Sequence, residues 1–404
     1  MKTIVRITLE KKRLLSKICL ASFATLSLSL NPAWAETAAA STAIPSTEAK
    51  AATSASASAS ASSPSTEAIS SETNSNGSQK ESNPLDRINC VVDGPLSKQL
   101  HMPLYEWIPK DKEPDGIVLA IHGLTLHGKR YEVLGRAFAA EGFYVAAPDM
   151  RGFGRCYIDE KGEFAVNGDS KRKVDYDKSF EDIVALAKAL KKAHPNVPLF
   201  VMAESLGTTM AIRLAAANPE LVSGLLLSGP TVKVNPLMVL HPDNMLAASW
   251  ALLIHPRFNM STSSFVKNLV SNDPAIVEEL LTDPLCRKGL TIAELLKTRK
   301  FVRKTLDNAS QIKVGLPILV IQGSEDKCMV PHAVTKLMGN VRSSDQTARW
   351  LYAHGHLLLE TAYLRPATLD SIDVWIREQS PAHAQEMTAI KQEILQVGGK
   401  ATSD

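Results

Sequence analysis

The 404-residue chain is poor in cysteine, in aromatic residues and in net charge. Five cysteines exclude a disulfide-dense mini-protein, and 21 glycines are too few for a collagen-like rod. The formal net charge is +3 and residues 1–35 alone carry +5, so the rest of the chain carries −2. A nearly neutral body has no field that attracts phosphate, and we expect no nucleic-acid partner. The chain does contain 45% hydrophobic residues, which is typical of a globular protein and not of a disordered regulator.

Residues 1–35 have the three-part pattern of a secretory signal peptide. A basic start precedes an uncharged apolar run at 18–30, and the segment ends in Ala33-Trp34-Ala35, with small residues where a signal peptidase cuts. As a helix this run would span about 20 Å, short of a roughly 30 Å hydrocarbon core, so the pattern favours a cleaved signal over a membrane anchor. We therefore expect cleavage after Ala35 and export to the periplasm or the medium.

Residues 36–84 consist mostly of Ala, Ser, Thr, Glu and Pro, and apart from alanine their only aliphatic residues are Ile44 and Ile69. Such a segment cannot bury enough apolar surface to offset the entropy of ordering it. We expect a disordered linker here and a folded domain over 85–404.

Four cysteines remain after the expected cleavage, and none has the spacing of metal ligands. In an exported protein they could pair in three ways or stay as buried thiols, and the sequence does not choose between these outcomes. The four are Cys90, Cys156, Cys286 and Cys328.

Within the domain, short apolar runs alternate with amphipathic helical patterns. Predicted strands are 116–121, 143–147, 198–202, 224–227 and 317–321, and predicted helices are 131–141, 179–193 and one from 206. This alternation predicts an α/β fold with a doubly wound, mostly parallel sheet, in which ligands bind at the carboxyl ends of the strands. Residues 230–312 break the pattern and predict an inserted helical cap, with one helix at 245–254.

A nucleophilic serine is indicated at the end of the predicted strand 198–202. Ala203-Glu204-Ser205-Leu206-Gly207 is a variant of the strand–turn–helix elbow that lifts a serine hydroxyl above a sheet. Such a serine needs a base and an acid, which follow it in the chain in hydrolases of this type. Two candidates for each role lie just after apolar strands: the acids Glu325 and Asp326, and the bases His354 and His356.

Acyl transfer also needs two donors for the oxyanion. One is expected from the backbone N–H of Leu206, at the start of the helix after the serine, where the helix dipole helps. The second is expected from the loop His122-Gly123-Leu124, most simply from the N–H of Leu124. The side chain of His122 is expected to brace this loop.

Over about 116–376 the sequence resembles the monoglyceride lipase and lysophospholipase branch of the α/β-hydrolases. The matching blocks are Ile121-His-Gly-Leu124, Pro148-Asp-Met-Arg-Gly-Phe-Gly154, the elbow at Ser205, Asp283-Pro-Leu-Cys-Arg-Lys-Gly289, Gln322-Gly-Ser-Glu-Asp326 and His356. The resemblance implies that Asp326 is the acid and His356 the base. It also implies a hydrophobic cap that docks transiently on membranes or lipid aggregates and encloses an acyl chain. The sequence departs from the family pattern in having Ala203 for the usual glycine, and Cys156 where a serine is common.

These features predict a serine hydrolase that cleaves monoacylglycerol or lysophospholipid through an acyl-enzyme on Ser205. The lipid preference depends on apolar residues of the cap, Leu237, Met238, Val239, Leu240, Trp250, Leu252 and Leu253. A general carboxylesterase or acyl-transfer enzyme is the alternative, and a non-catalytic binding protein is a third hypothesis. We expect no cofactor and no metal, because no glycine-rich phosphate loop or ligand cluster is present. Acyl-chain length, head group and oligomeric state stay open.

Overall fold

An eight-stranded sheet forms the centre of the computed structural model, which describes residues 84–110, 112–158, 172–233 and 259–379. Its strands are β1 (Ile88–Val92), β2 (Leu104–Pro109), β3 (Gly116–Ile121), β4 (Phe143–Pro148), β5 (Leu199–Glu204), β6 (Gly224–Ser228), β9 (Ile318–Gly323) and β10 (Gln346–Leu351). Two further strands, β7 (Asn259–Ser261) and β8 (Gly289–Thr291), form a separate antiparallel ribbon. The order in the sheet is β1-β2-β4-β3-β5-β6-β9-β10. Because β2 runs antiparallel to both β1 and β4 and all other pairs are parallel, the predicted mostly parallel sheet is confirmed.

Helices cover both faces of the sheet. They are α1 (Pro95–Leu100), α2 (Glu132–Ala140), α3 (Tyr176–Ala193), α4 (Leu206–Ala217), α5 (Pro274–Thr282), α6 (Ile292–Val302), α7 (Thr305–Ala309), α8 (His332–Asn340) and α9 (Pro366–Glu378). A short helical segment, Ser263–Phe265, continues into a π-helix, Val266–Val270. Helix α3 begins three residues before the predicted start, because the Asp175 carboxylate accepts the backbone N–H of Lys178 and caps it there.

The apolar run of β3 is continuous because both faces of this parallel strand are buried. Ile117, Leu119 and Ile121 face one side of the sheet, where they pack in a cluster with α3 and α4. Val118 and Ala120 face the other side, where they pack with α2 and α9. Since successive side chains alternate between two buried faces, every position of this strand is apolar.

Strands β1 and β2 were not predicted, because neither has a continuous apolar run. In β1 only Ile88 is fully buried, and the strand lies at the edge of the sheet. In β2 the buried Glu106 interrupts the pattern and bonds to the hydroxyl of Tyr144. These two strands add the antiparallel part of the sheet to the predicted parallel part.

Several predictions concern parts of the chain outside the described residues. They are the signal peptide at 1–35, nearly all of the linker at 36–84, the cap helix at 245–254, and the apolar cap residues Leu237, Met238, Val239, Leu240, Trp250, Leu252 and Leu253. The described part of the predicted cap contains α5, α6, α7 and the β7–β8 ribbon. Within the described ranges, no helix combines the length and the hydropathy needed to cross a bilayer. The four cysteines of the domain are thiols: Cys90 is exposed, and Cys156, Cys286 and Cys328 are buried.

Candidate active site

Ser205 lies in a sharp turn between β5 and α4, at the carboxyl edge of the sheet. Its backbone has φ 52° and ψ −120°, a strained conformation for a residue with a side chain. Two hydroxyl groups support this turn by donating to the Ser205 carbonyl oxygen: those of Thr208 (2.6 Å) and Thr231 (3.1 Å). At Gly207 a Cβ atom would collide with the carbonyl oxygen of Ile121, so a residue without a side chain is needed there. The methyl group of Ala203 is fully buried in the sheet and fits this turn.

The structure brings Ser205, His356 and Asp326 together in one hydrogen-bonded line. His356 Nε2 lies 2.8 Å from Ser205 Oγ, and His356 Nδ1 lies 2.7 Å from Asp326 Oδ2. Asp326 follows β9 and His356 follows β10, so both side chains start at the same sheet edge as the serine. The aspartate also accepts three hydrogen bonds from its own strand and loop, donated by the amides of Cys328 (2.7 Å) and Met329 (2.9 Å) and by Gln322 Nε2 (2.6 Å).

The electrostatics of this line suit proton transfer. Burial alone would lower the pKa of His356, but the charge and the hydrogen bond of Asp326 outweigh it and raise the pKa above its usual value. Burial would raise the pKa of Asp326, but the charge of His356, its hydrogen bond and the donors around the carboxylate hold the pKa below its usual range. An ionised aspartate thus faces an imidazole of increased basicity, which can take a proton from the serine.

The two competing candidates, His354 and Glu325, lie elsewhere. His354 Nδ1 lies 2.7 Å from the carbonyl oxygen of Tyr352. The Glu325 carboxylate accepts a hydrogen bond from the side-chain amide of Asn272. The hydrogen bonds to Ser205 and to the imidazole are therefore made by His356 and Asp326.

The loop expected to supply an oxyanion donor passes beside the serine. A Cβ atom at Gly123 would lie 3.5 Å from Ser205 Cβ, and Leu124 is the next residue. His122 braces this loop: its Nδ1 lies 2.8 Å from the Gly123 carbonyl oxygen and its Nε2 accepts the amide of Met150 (3.0 Å). Burial lowers the pKa of His122 to about 4, so the brace is neutral. The backbone N–H of Leu206 is the first of α4, and the N–H groups of the first helical turn have no acceptor within the helix. The oxyanion role of the Leu124 and Leu206 amides stays a prediction.

Sequence reasoning missed several residues that hold this geometry. Gly229 has φ 51°, and a Cβ atom there would lie 2.8 Å from His356 Cε1, so only glycine leaves room for the ring. The turn Ser228-Gly229-Pro230 after β6 could have signalled a special backbone position. Glu204 and Glu360 are buried beside the base and were not singled out either. Glu204 contacts the Leu358 amide and Glu360 contacts the Gly123 amide, each more than 150 positions away, and no local pattern reveals such contacts.

The cap block at 283–289 ties the cap to the loop beside the serine. Asp283 Oδ2 lies 2.9 Å from His127 Nε2, and the backbone N–H of Arg287 donates to the Thr125 carbonyl oxygen (2.8 Å). The Arg287 side chain is buried, donates to the Gly152 carbonyl oxygen (3.0 Å) and forms an ion pair with Glu294 (2.8 Å). The block is therefore a structural link between the cap and the sheet edge.

Two side-chain groups in the described ranges have the spacing of metal ligands. Asp326, Cys328 and His356 form one of them, but its carboxylate and imidazole belong to the hydrogen-bonded line at Ser205. The second group is His127, Asp283 and Cys286. Its carboxylate already bonds to His127 and lies 3.4 Å from the guanidinium of Arg130, a cation of the protein itself. Neither group fits a metal better than its present contacts, and the absence of a cofactor stays a prediction.

The fold and the site define the class of protein, a serine hydrolase of the α/β-hydrolase fold. Proteins of this class carry a nucleophile elbow, an acid and a base in this chain order on such a sheet. A family model described as serine aminopeptidase, S33 (Hydrolase_4) matches residues 112–361, and the chain belongs to this family.

Among curated proteins, the chain is similar to monoglyceride lipases. It is 27% identical over 267 residues to the monoglyceride lipase homolog of Monkeypox virus, covering 65% of this chain and 90% of the relative. It is 27% identical over 272 residues to the monoglyceride lipase of Homo sapiens, covering 66% of this chain and 84% of the relative. Among solved structures, a soluble variant of the Saccharomyces cerevisiae monoglyceride lipase in complex with a substrate analog has a TM-score of 0.58 at 20% identity, covering 69% of this chain and 92% of that one. The predicted resemblance to monoglyceride lipases is confirmed.

Proposed function

We propose that this protein is a carboxylic ester hydrolase that cleaves monoacylglycerols, with lysophospholipids as the second lipid substrate class. The observation that carries the proposal is the 2.8 Å contact between Ser205 Oγ and His356 Nε2, in line with an ionised Asp326. The similar proteins named monoglyceride lipases support a lipid ester as the substrate.

In this mechanism Ser205 Oγ attacks the ester carbonyl carbon while His356 Nε2 takes the hydroxyl proton. Asp326 stabilises the imidazolium that forms and keeps Nε2 directed at the serine. The amides of Leu124 and Leu206 donate to the oxyanion of the tetrahedral intermediate. His356 then protonates the departing glycerol oxygen, which leaves an acyl group on Ser205. A water molecule, deprotonated by His356, then attacks the acyl carbon. Collapse of this second tetrahedral intermediate breaks the bond to Ser205 Oγ, which takes the proton back from His356, and the fatty acid is released.

Active-site labelling tests whether Ser205 is an activated nucleophile. A fluorophosphonate probe is expected to label the folded wild-type protein and to leave Ser205→Ala unlabelled. Absence of labelling on the folded wild type would favour a non-catalytic binding protein instead.

A substrate panel tests the lipid preference. It contains long-chain mono-, di- and triacylglycerols, lysophospholipids, short nitrophenyl esters and an aminoacyl anilide, the last because of the family description. The highest kcat/KM is expected for a long-chain monoacylglycerol. If short esters are cleaved at least as fast, the enzyme is a general carboxylesterase, and transfer of the acyl group to an added alcohol in preference to water would indicate an acyltransferase.

We further propose that the enzyme acts outside the cytoplasm and meets its substrate on lipid aggregates. The signal-peptide pattern supports export, and the mass of the purified exported chain is expected to match a start at Glu36. If the protein docks on lipid aggregates, the Ser205→Ala variant is expected to co-sediment with vesicles that contain monoacylglycerol. An exported chain that still carries residues 1–35 contradicts the cleaved signal peptide. A Ser205→Ala variant that stays in the supernatant contradicts docking on lipid aggregates.

A further inference from the structure

Glu204 lies directly before the serine, and its side chain is fully buried. Its Oε1 accepts hydrogen bonds from the Ser228 hydroxyl (2.6 Å) and the Leu358 amide (2.7 Å), and its Oε2 accepts the Glu360 amide (3.0 Å). The Leu359 amide lies 3.2 Å from both oxygens. Each of these four partners is a donor, which suits an ionised carboxylate. Three of the donors are consecutive amides of the segment that follows His356.

Glu360 makes a different set of contacts, again in a fully buried position. Its Oε1 accepts the amide of Gly123 (2.7 Å) and lies 3.1 Å from the Tyr131 hydroxyl, which is itself 3.0 Å from the Ile121 carbonyl oxygen. The Tyr131 hydroxyl has a single proton to give. If that proton goes to the carbonyl oxygen of Ile121, a proton on Glu360 completes the second bond. Among the described residues, Glu360 Oε2 has no hydrogen-bond partner, which would be costly for a charged oxygen.

The electrostatics agree with an ionised Glu204 and a neutral Glu360. Burial, and after it the charge of Glu204, raise the pKa of Glu360 well above its usual range. Burial raises the pKa of Glu204 as well, but the hydrogen bonds from Ser228, Leu358 and Glu360 and the charge of His356 oppose this rise. The pKa of Glu204 is raised, whereas that of Glu360 is raised well above its usual range. Two neighbouring buried carboxyl groups do not both ionise readily, so the charge belongs on the one with more donors.

We propose that Glu204 and Glu360 are positioning residues that hold the base-bearing segment 356–360 against the serine and the oxyanion loop, with one proton shared between them and carried by Glu360. Ionised Glu204 fixes the backbone next to His356, and neutral Glu360 fixes Gly123 and with it the neighbouring oxyanion donor. This inference depends on the proposed function, because it assigns roles around the same serine.

The charged and titratable groups that face the pair come from several elements. His356 faces Glu204, and Glu204 in turn faces Glu360. Tyr131 and Arg130 approach Glu360 from the segment before α2, where Arg130 Nε donates to the Glu360 carbonyl oxygen (3.0 Å). Of these groups, His356 is the one whose protonation the reaction requires to change.

Three isosteric variants test the proposal: Glu204→Gln, Glu360→Gln and, as a matched control, Glu106→Gln. Glu106 is another buried glutamate. It lies in β2, outside the site, and bonds to the hydroxyl of Tyr144 in β4. In Glu204→Gln an NH2 group faces donors and leaves amides unpaired, so kcat is expected to fall by about 10²-fold through misplacement of His356, with KM little changed. Glu360→Gln replaces one neutral group by another and is expected to lower kcat only a few-fold.

The pH profile separates positioning from a general loss of structure. Activity rises with pH as His356 loses its proton, and the charge of Glu204 is one of the contributions that raise the pKa of His356. Removing that charge destabilises the imidazolium, so the acid limb of kcat/KM is expected to move to lower pH in Glu204→Gln. It is expected to stay in place in Glu360→Gln and Glu106→Gln. If Glu204→Gln does not fold, Glu204→Asp replaces it: the charge remains, so the limb should stay while kcat falls.

Infrared spectroscopy tests the proton without using turnover. A wild-type band from the carbonyl stretch of a protonated carboxyl group is expected to disappear in Glu360→Gln. Each of three results would overturn the inference. The first is an infrared band that is unchanged in Glu360→Gln, and the second is a Glu204→Gln variant with the kcat and the acid limb of the wild type. The third is an acid limb that shifts in Glu360→Gln as it does in Glu204→Gln. A wild type that shows the band but cleaves no ester would contradict the proposed function and leave the proton assignment standing.

Discussion

Replacing His356 and His354 separately by alanine distinguishes a catalytic base from a structural histidine two residues away. The His356 imidazole contacts both Ser205 Oγ and Asp326 Oδ2, so its removal leaves the serine without a proton acceptor. The remaining rate would come from substrate binding and the oxyanion donors. We expect kcat to fall by about 10⁴-fold or more, which corresponds to a barrier higher by about 5 kcal/mol.

His354→Ala is the matched control, because this side chain is buried as well but bonds to the carbonyl oxygen of Tyr352. Losing that hydrogen bond removes about 1 kcal/mol from the free energy of unfolding. For a domain of this size the melting temperature should fall by about 1–2 °C. The kcat of this variant is expected to stay within a few-fold of wild type.

Both variants are assayed by pH-stat titration of fatty acid released from a monoacylglycerol emulsion, after circular dichroism has shown that they fold. Fluorophosphonate labelling rates give a second measure that does not depend on the substrate. If folded His354→Ala is as inactive as His356→Ala, or if His356→Ala retains about a tenth of the wild-type kcat, the assignment of the base is wrong.

Four further predictions concern other residues of the site and the cap block. In Asp326→Asn the imidazole loses its orienting charge, so kcat should fall by about 10⁴-fold and the acid limb of kcat/KM should move to lower pH. In the wild type that limb should have its midpoint above the ordinary pKa of histidine, because Asp326 raises the pKa of His356; a pH–rate profile checks both statements. Gly229→Ala directs a methyl group at the His356 ring from a left-handed backbone, and kcat should fall by about 10²-fold in steady-state assays. Arg287→Ala removes the guanidinium bonds to Glu294 and to the Gly152 carbonyl oxygen, so urea unfolding should show a loss of about 3 kcal/mol, whereas an unchanged midpoint would contradict a role of this side chain in the link.

Much of the fold could be predicted from the sequence, because a parallel strand covered on both faces has no polar positions. The run 116–121 coincides with β3, and the run 143–147 is extended by one residue in β4. The antiparallel strands β1 and β2 could not be predicted in this way. One is exposed at the sheet edge and the other contains a buried glutamate, so neither has the continuous apolar run of a parallel strand covered on both faces.

In the site, too, some residues could be predicted from the sequence and others could not. Ser205 and Asp326 follow the apolar strands β5 and β9, and His356 follows the half-exposed edge strand β10. Chain order and strand geometry already indicate that these three residues meet at one sheet edge. Glu360 has no comparable signal, and the Gly-Pro pair at Gly229 indicates a turn but not the contact of that turn with the base. Their importance comes from what they touch, the His356 ring in one case and the Gly123 amide in the other, and those partners are far away in sequence.

The backbone after the base explains why a carboxyl group is buried beside the nucleophile. Residues 352–365 form neither helix nor strand, so their amides cannot be paired by a regular ladder. The amides at 358–360 are enclosed and need acceptors, and a glutamine side chain would offer them a single oxygen. A carboxylate offers two oxygens, and the position before the serine faces these amides. Glu204 thus supplies the acceptors that the irregular backbone after His356 lacks, and it does so from the position directly before the serine.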